Sequence, residues 1–148
     1  MMLKTGDIAP DFTAVDQTGT TMRLSEMLVD GPVVLFFYPK AFTPGCTKES
    51  CHFRDLAAAF REAGAQRVGI SADDTSIQAK FDAHYQLEIP LLSDPDRSIA
   101  KQFGVKRPGI LLNKRQTFVI GTDGRVIATI GSEFNMEAHA DAALVALG

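Results

Sequence analysis

Cysteine is scarce in this chain. Cys46 and Cys51 are the only two in 148 residues, and the three histidines, His52, His84 and His139, are scattered. A structural zinc site takes four ligands, usually in paired short spacings, so metal is the weaker use for these residues and no cofactor is expected. Positive charge is short as well: a net charge of -3 with no basic patch gives no electrostatic reason to expect a nucleic-acid partner. The longest clean apolar run, Val33 to Tyr38, cannot span a bilayer, so no membrane partner is expected. The opening MMLKTGDIAP carries Lys4 and Asp7, leaving no room for the apolar core of a secretory leader. A cytoplasmic protein is the expectation. Repeats, low-complexity tracts and Pro/Gly/Ser linkers are missing too, and the length suits one domain over residues 1–148.

What remains is an ordinary globular composition, 45% hydrophobic and 22% charged, with a legible alternation of elements. Asp11 to Leu24 alternates apolar and polar residues about Thr18-Gly19, which predicts an N-terminal hairpin. Val33 to Tyr38 does not alternate, and a short strand apolar on both sides belongs in the centre of a sheet covered on both faces. Thr43-Pro44 reads as a helix start, Thr as N-cap and Pro at the first helical position, with Gly64 as the stop. Phe53, Leu56, Ala57, Phe60 and Ala63 fall on one face of that helix. Arg67 to Ala72 reads as a strand, followed by a helix from Asp74 or Thr75 whose inner face is Ile77, Phe81, His84 and Tyr85. Pro90 to Leu92 is a short strand, and Ser98 to Phe103 a short helix ended by Gly104. Thr117 to Ile120 and Arg125 to Ile130 flank Asp123-Gly124 as a second hairpin, and Met136, Ala140, Leu144 and Leu147 mark a closing helix. The sum is an α/β fold, a mixed central sheet flanked by helices with an N-terminal hairpin.

The cysteines sit where this pattern places reactive groups. With Thr43 as the cap, Cys46 lies in the first helical turn, where free backbone donors and the positive dipole end favour a thiolate. The bland alternative is a small core hydrophobe, since Cys46 shares a helical face with Phe53. Cys51 lies five residues on, about 140° around the helix, towards the polar side with Arg54, Asp55 and Glu62. Ideal helix geometry sets the two Cα atoms roughly 8.6 Å apart. A disulfide needs less than about 7 Å, so the pair closes only if the helix unwinds. A spectator thiol is the alternative for Cys51.

The stretch PKAFTPGC, with Pro39, Thr43 and Cys46, resembles the P-x-x-x-T-x-x-C signature of peroxiredoxins, and CTKESC is similar to the peroxiredoxin Q or bacterioferritin-comigratory-protein group. The likeness extends to GDIAPDFTAVDQTGT at the N-terminus and to KRQTFVIGTDGRV, which carries the family's arginine. It implies a thioredoxin-like fold and a thiol peroxidase. Cys46 would attack the peroxide O–O bond and become a sulfenic acid, Cys51 would resolve it as a Cys46–Cys51 disulfide, and thioredoxin or a similar dithiol reductant would reopen that bond. Thr43 would hydrogen-bond the peroxide or thiolate, beyond its role as a cap. Arg115 would stabilise the thiolate and the charge developing on oxygen, where without the family it reads as a solvated residue. Pro39 would shape the turn and shield the thiolate, or simply end the strand. A monomer or weak dimer is expected.

His52 reads as a surface residue, and Glu49 as either a site residue or ordinary dipole complementation. Gly121 departs from the acidic residue common in relatives and touches only the hairpin. The apolar loop VKRPGILLNKR before Arg115 suits a peroxide entrance, a core cover or a partner contact, with core cover the default. A disulfide reductase lacks support because such enzymes separate their cysteines by two residues. A non-catalytic peroxide sensor, switching a binding surface through the same disulfide, is the alternative from another class.

Overall fold

The computed structural model describes residues 1–148. Strands β1 (Thr13–Val15) and β2 (Thr21–Arg23) pair antiparallel as the expected hairpin. Its turn is fastened by one carboxylate: Asp16 Oδ1 accepts from the amides of Thr18 and Thr20 at 2.8 and 3.1 Å. Helix α1 (Leu24–Met27) leads to β3 (Val33–Phe37), then α2 (Pro44–Asp55), α3 (Ala57–Glu62), β4 (Gln66–Ser71), α4 (Thr75–Tyr85), β5 (Leu91–Ser93) and α5 (Ser98–Phe103). The antiparallel pair β6 (Gln116–Ile120) and β7 (Val126–Gly131) precedes the last helix, α6 (Ala138–Leu147).

The seven strands form one sheet in the order β2-β1-β5-β4-β3-β6-β7, with β3 parallel to β4 and antiparallel to β6. The lack of alternation in β3 now has its cause. Val33, Leu35 and Phe37 enter one core cluster with Phe103 and Phe118, while Val34, Phe36 and Tyr38 enter a second with Cys46, Phe53, Phe60, Phe81 and Ala140. Both faces of the strand are covered, so every position must be apolar. This is the thioredoxin-like arrangement with an N-terminal hairpin, and it brings α2 to the C-terminal end of β3, where crevices of open α/β sheets form.

Four local expectations need correction. The helix expected from Pro44 to Gly64 is two helices, broken at Leu56, whose φ of -96° and ψ of 20° leave the helical region. Arg67 Nη1 donates to the Phe53 carbonyl at 2.8 Å, satisfying an acceptor at the break. His84 is exposed, because the buried face of α4 is Gln78 and Phe81; its ring instead lies edge-on to Phe42 and Tyr85. Met136 precedes α6 rather than beginning it. The apolar loop does not cover the core: Ile110 is 99% exposed, and Leu111 and Leu112 are exposed as well. Arg97 donates to the carbonyls of Gly109 and Leu111 at 2.8 and 2.7 Å, and these bonds hold the loop at the surface.

Candidate active site

The site forms where the chain leaves β3. Thr43 has the extended backbone of an N-cap, φ -75° and ψ 152°, and Pro44 occupies the start of α2. Its side chain does something other than expected: the hydroxyl donates to the Lys40 carbonyl at 2.7 Å, and there is no side-chain cap bond. The loop is thereby closed on itself, and the oxygen's lone pairs stay free to accept. Phe42, within this loop, has a φ of 67°, a left-handed backbone uncommon for an aromatic residue, and its ring packs on Phe81 at 5.1 Å between centroids.

Cys46 follows in the first turn, a free thiol wholly buried in the core cluster. The core-hydrophobe alternative is therefore half right, since the residue packs with Phe53 and Tyr38. Its sulfur, however, is not in an apolar setting. Arg115 Nη1 donates to Sγ at 3.3 Å, and the Lys40 amide points to it from 3.5 Å. The same Nη1 donates to Glu49 Oε1 at 2.9 Å, so one guanidinium nitrogen bridges two potential anions. Burial works against the charge on Arg115, but Cys46 and Glu49 outweigh it and hold the guanidinium above its ordinary value.

Arg115 reaches the sulfur because position 45 has no side chain. A Cβ there would meet Arg115 Nη2 at 2.9 Å and the Met136 methyl at 3.1 Å. The arginine is itself buried, not the solvated residue its position alone suggests, and its backbone amide donates to Glu133 Oε2 at 2.8 Å. Arg107 lies 3.5 Å from that carboxylate. Pro39 is half-buried, directly before the Lys40 amide that faces the sulfur.

Behind Arg115 lies a polar layer in which sequence reading left Glu49 between two alternatives and gave His139 no role. Glu49 is wholly buried, and desolvation pushes its carboxyl up to about 8 despite the Arg115 charge. Its second oxygen, Oε2, has no hydrogen-bond partner and sits 3.4 Å from Nδ1 of His139, also wholly buried. His139 lies 2.8 Å from Thr117 Oγ1 through Nδ1 and 2.8 Å from the Ser132 carbonyl through Nε2. Burial lowers its readiness to protonate. The available signals were the three-residue step from Cys46 to Glu49 along α2 and the step from His139 to Ala143 on the inner face of α6.

Cys51 is a free thiol on the same helix, held by intact backbone in reach of the surface but not of Cys46. It is half-buried against the second core cluster rather than fully on the polar side, and burial pushes its thiol up. It lines a surface depression of about 270 Å³ with Lys48, His52, Asp55 and Glu137. His52 is also less exposed than expected, pinned by Asp141 Oδ1 at 2.7 Å and Glu137 Oε2 at 3.7 Å. No cluster of three or more His, Cys, Asp or Glu side chains has metal-binding geometry. No helix is long and apolar enough to cross a membrane.

Comparison with known proteins gives one family. Residues 5–129 match the model of the AhpC/TSA family. A protein of Mycobacterium tuberculosis that carries a peroxiredoxin name is 59% identical, the match covering 98% of this chain and 96% of the relative. The chloroplastic peroxiredoxin Q of Populus jackii is 44% identical over 94% of this chain and 65% of its own length. Among solved structures, the peroxidoxin BcpB from Mycobacterium tuberculosis superposes with a TM-score of 0.95 at 58% identity, covering 99% of this chain and 97% of that one.

Proposed function

Because the chain belongs to the AhpC/TSA family, with peroxiredoxins of the Q and BCP type among its relatives, we propose that it is a thiol peroxidase that works through Cys46 and Cys51 in turn. The observation that carries the reading is the Cys46 sulfur in the first turn of α2, 3.3 Å from a buried guanidinium nitrogen. A fixed cation and unpaired helix amides favour the ionised thiol and the charge that develops on the leaving oxygen.

In the first step the Cys46 thiolate attacks the terminal oxygen of R–O–O–H. The O–O bond breaks, an S–O bond forms, and the departing RO⁻ takes a proton to leave as water or an alcohol; the sulfur is oxidised to a sulfenic acid. Thr43, its own hydrogen committed to Lys40, accepts from the peroxide hydroxyl. Pro39 keeps water from the sulfur side of the loop.

In the second step the Cys51 sulfur displaces the sulfenic oxygen as water and forms the Cys46–Cys51 disulfide. Both residues lie in one continuous helix, about 8.6 Å apart at Cα, so α2 must unwind first. Unwinding also relieves the burial that pushes the Cys51 thiol up. Thioredoxin or a similar dithiol then exchanges with the exposed bond and restores both thiols. The cytoplasmic setting and the single domain over residues 1–148 belong to this proposal, as does a monomer or weak dimer.

The experiment is a thioredoxin-coupled peroxidase assay with hydrogen peroxide and an alkyl hydroperoxide. Repeated turnover by the wild type and none by Cys46→Ser is the expected result. Oxidation that stops after one equivalent in the presence of thioredoxin and its reductase would favour the sensor, and normal turnover by Cys46→Ser would remove Cys46 from the chemistry.

A further inference from the structure

The Cys46 sulfur has two donors, and only Arg115 is a side chain. The other is the Lys40 amide at 3.5 Å, so the chemistry depends on how the backbone of the loop after β3 is held. One peptide unit of that loop is gripped at both ends. The Lys40 carbonyl accepts the Thr43 hydroxyl at 2.7 Å, and the next amide, that of Ala41, donates to Asp73 Oδ2 at 2.8 Å. Asp73 comes from the loop between β4 and α4, 32 positions further along the chain. Strands β3 and β4 run parallel side by side, so the loops that leave them emerge at the same edge of the sheet.

Asp73 is itself fixed, by a chain of hydrogen bonds whose directions are all determined. The Leu92 carbonyl only accepts, so Gln78 turns Nε2 towards it at 2.9 Å and leaves Oε1 to accept from the Tyr38 hydroxyl. The second Nε2 hydrogen goes to Ser71 Oγ at 2.9 Å. The Asp73 amide also donates to Ser71 Oγ, at 3.2 Å, which fills both lone pairs of that oxygen. The Ser71 hydrogen is then directed at Asp73 Oδ2, 2.7 Å away. Tyr38, Ser71 and Gln78 are wholly buried, so water does not compete for these bonds. Capping of α4 does not need Asp73, because its neighbour Asp74 accepts from the Ile77 amide at 2.9 Å. The Asp73 carboxylate serves the Cys46 loop instead.

We propose that Asp73 is a positioning residue for the Cys46 chemistry: it holds the Lys40–Ala41 peptide in the orientation that presents the Thr43 oxygen to the peroxide and the Lys40 amide to the sulfur. This deepens the peroxidase reading and rests on it for the identity of the reacting thiol. What the loop takes from position 73 is an acceptor rather than a charge. Asparagine there keeps an oxygen for the Ala41 amide and the Ser71 hydroxyl, and alanine keeps none. Both remove the negative charge, so the difference between them isolates the hydrogen bond.

The test compares Asp73→Asn with Asp73→Ala, each in a Cys51→Ser background so that a single thiol titrates. Thiolate absorbance across pH is read beside the rate of one stoichiometric oxidation by hydrogen peroxide and the hydrogen exchange of the Ala41 amide. Asp73→Asn should stay within about twofold of the parent rate, and Asp73→Ala should be about tenfold slower. The Cys46 midpoint should lie about half a pH unit higher in Asp73→Ala than in Asp73→Asn, because a donor to the charged form is loosened. The Ala41 amide should be protected in the parent and in Asp73→Asn and exposed in Asp73→Ala. Equal rates and midpoints in the two variants overturn the proposal, and a lower melting temperature of Asp73→Ala without those differences marks a merely structural bond and overturns it too. If Asp73→Ala does not fold, Asp73→Ser, one bond too short to reach the Ala41 amide, is held to the same criterion. An Ala41 amide that is already unprotected in the parent also overturns the proposal. Should the parent not react with peroxide at all, the peroxidase reading fails, while the thiolate midpoints and the Ala41 exchange still decide the role of Asp73.

Discussion

A methyl group at position 45 is the smallest change that reaches the thiol. Alanine favours helix over glycine by up to about 1 kcal/mol, so propensity alone makes Gly45→Ala harmless or stabilising. The 2.9 Å approach of Arg115 Nη2 to the Cβ position says otherwise for activity, because the guanidinium must shift. Gly45→Ala is expected to keep its thermal stability and lose roughly tenfold or more in the rate of peroxide reaction. Stopped-flow oxidation beside a melting curve checks both, and an unchanged rate would show that the arginine has room to spare. Arg115→Ala should lose about a hundredfold and, because the arginine is buried against Glu49, also some stability, where its sequence position predicted little. Glu49 makes a separate prediction. Its carboxyl binds a proton more tightly folded than unfolded, so the stabilisation is full below the usual value of 4.5 and is lost as pH rises through about 8. Glu49→Gln has no proton to lose, and its stability relative to the wild type should rise across that window by up to a few kcal/mol, since each tenfold difference in proton affinity between the folded and unfolded chain is worth about 1.4 kcal/mol. Urea unfolding at several pH values measures the difference, and a constant gap would place an ordinary carboxylate at Glu49. Of these residues the sequence made Cys46, Thr43 and Arg115 legible through spacing and resemblance. Glu49 stayed ambiguous because its depth depends on β6 and α6, which no local pattern reveals.

Helix α2 carries the largest motion in the mechanism. Its backbone holds Cys46 and Cys51 too far apart to bond, so oxidation must convert ordered turns into loop. Amides from about Thr47 to Arg54 should exchange faster in the oxidised protein, while those of α3 keep their protection. The break at Leu56 separates the two, and Arg67 on β4 anchors the Phe53 carbonyl at the junction. Hydrogen exchange on reduced and peroxide-treated protein resolves this, and unchanged protection in α2 would refute the unwinding. Cys51→Ser should still react once with peroxide, then stall with thioredoxin and overoxidise more readily. The start of α2 was readable from Thr43-Pro44, because capping chemistry is local. Its end was not, because the residue that satisfies the broken turn lies 14 positions away, on another strand.

At the scale of the molecule, β3 connects fold and function. Its apolar run forces it into the centre of the sheet, and centrality delivers the loop after it to the crevice where α2 begins. That chain of inference was open to sequence reading, since burial on both faces is written in six consecutive apolar residues. For the loop holding Ile110, Leu111 and Leu112 only the default of the three uses read for it, a core cover, is excluded, because hydrophobicity without period does not say which way a loop turns, and Arg97 turns this one outward. The layer behind the thiol needs α6 folded onto β6, a contact set by topology alone. Everything proposed for these parts depends on one chemical event, the oxidation of Cys46 by peroxide. The direct measurement is mass spectrometry of Cys51→Ser after one equivalent of hydrogen peroxide, with a sulfenic-acid trap present. The account predicts the trapped adduct on Cys46 in nearly every molecule. An unmodified Cys46 beside consumed peroxide would contradict it.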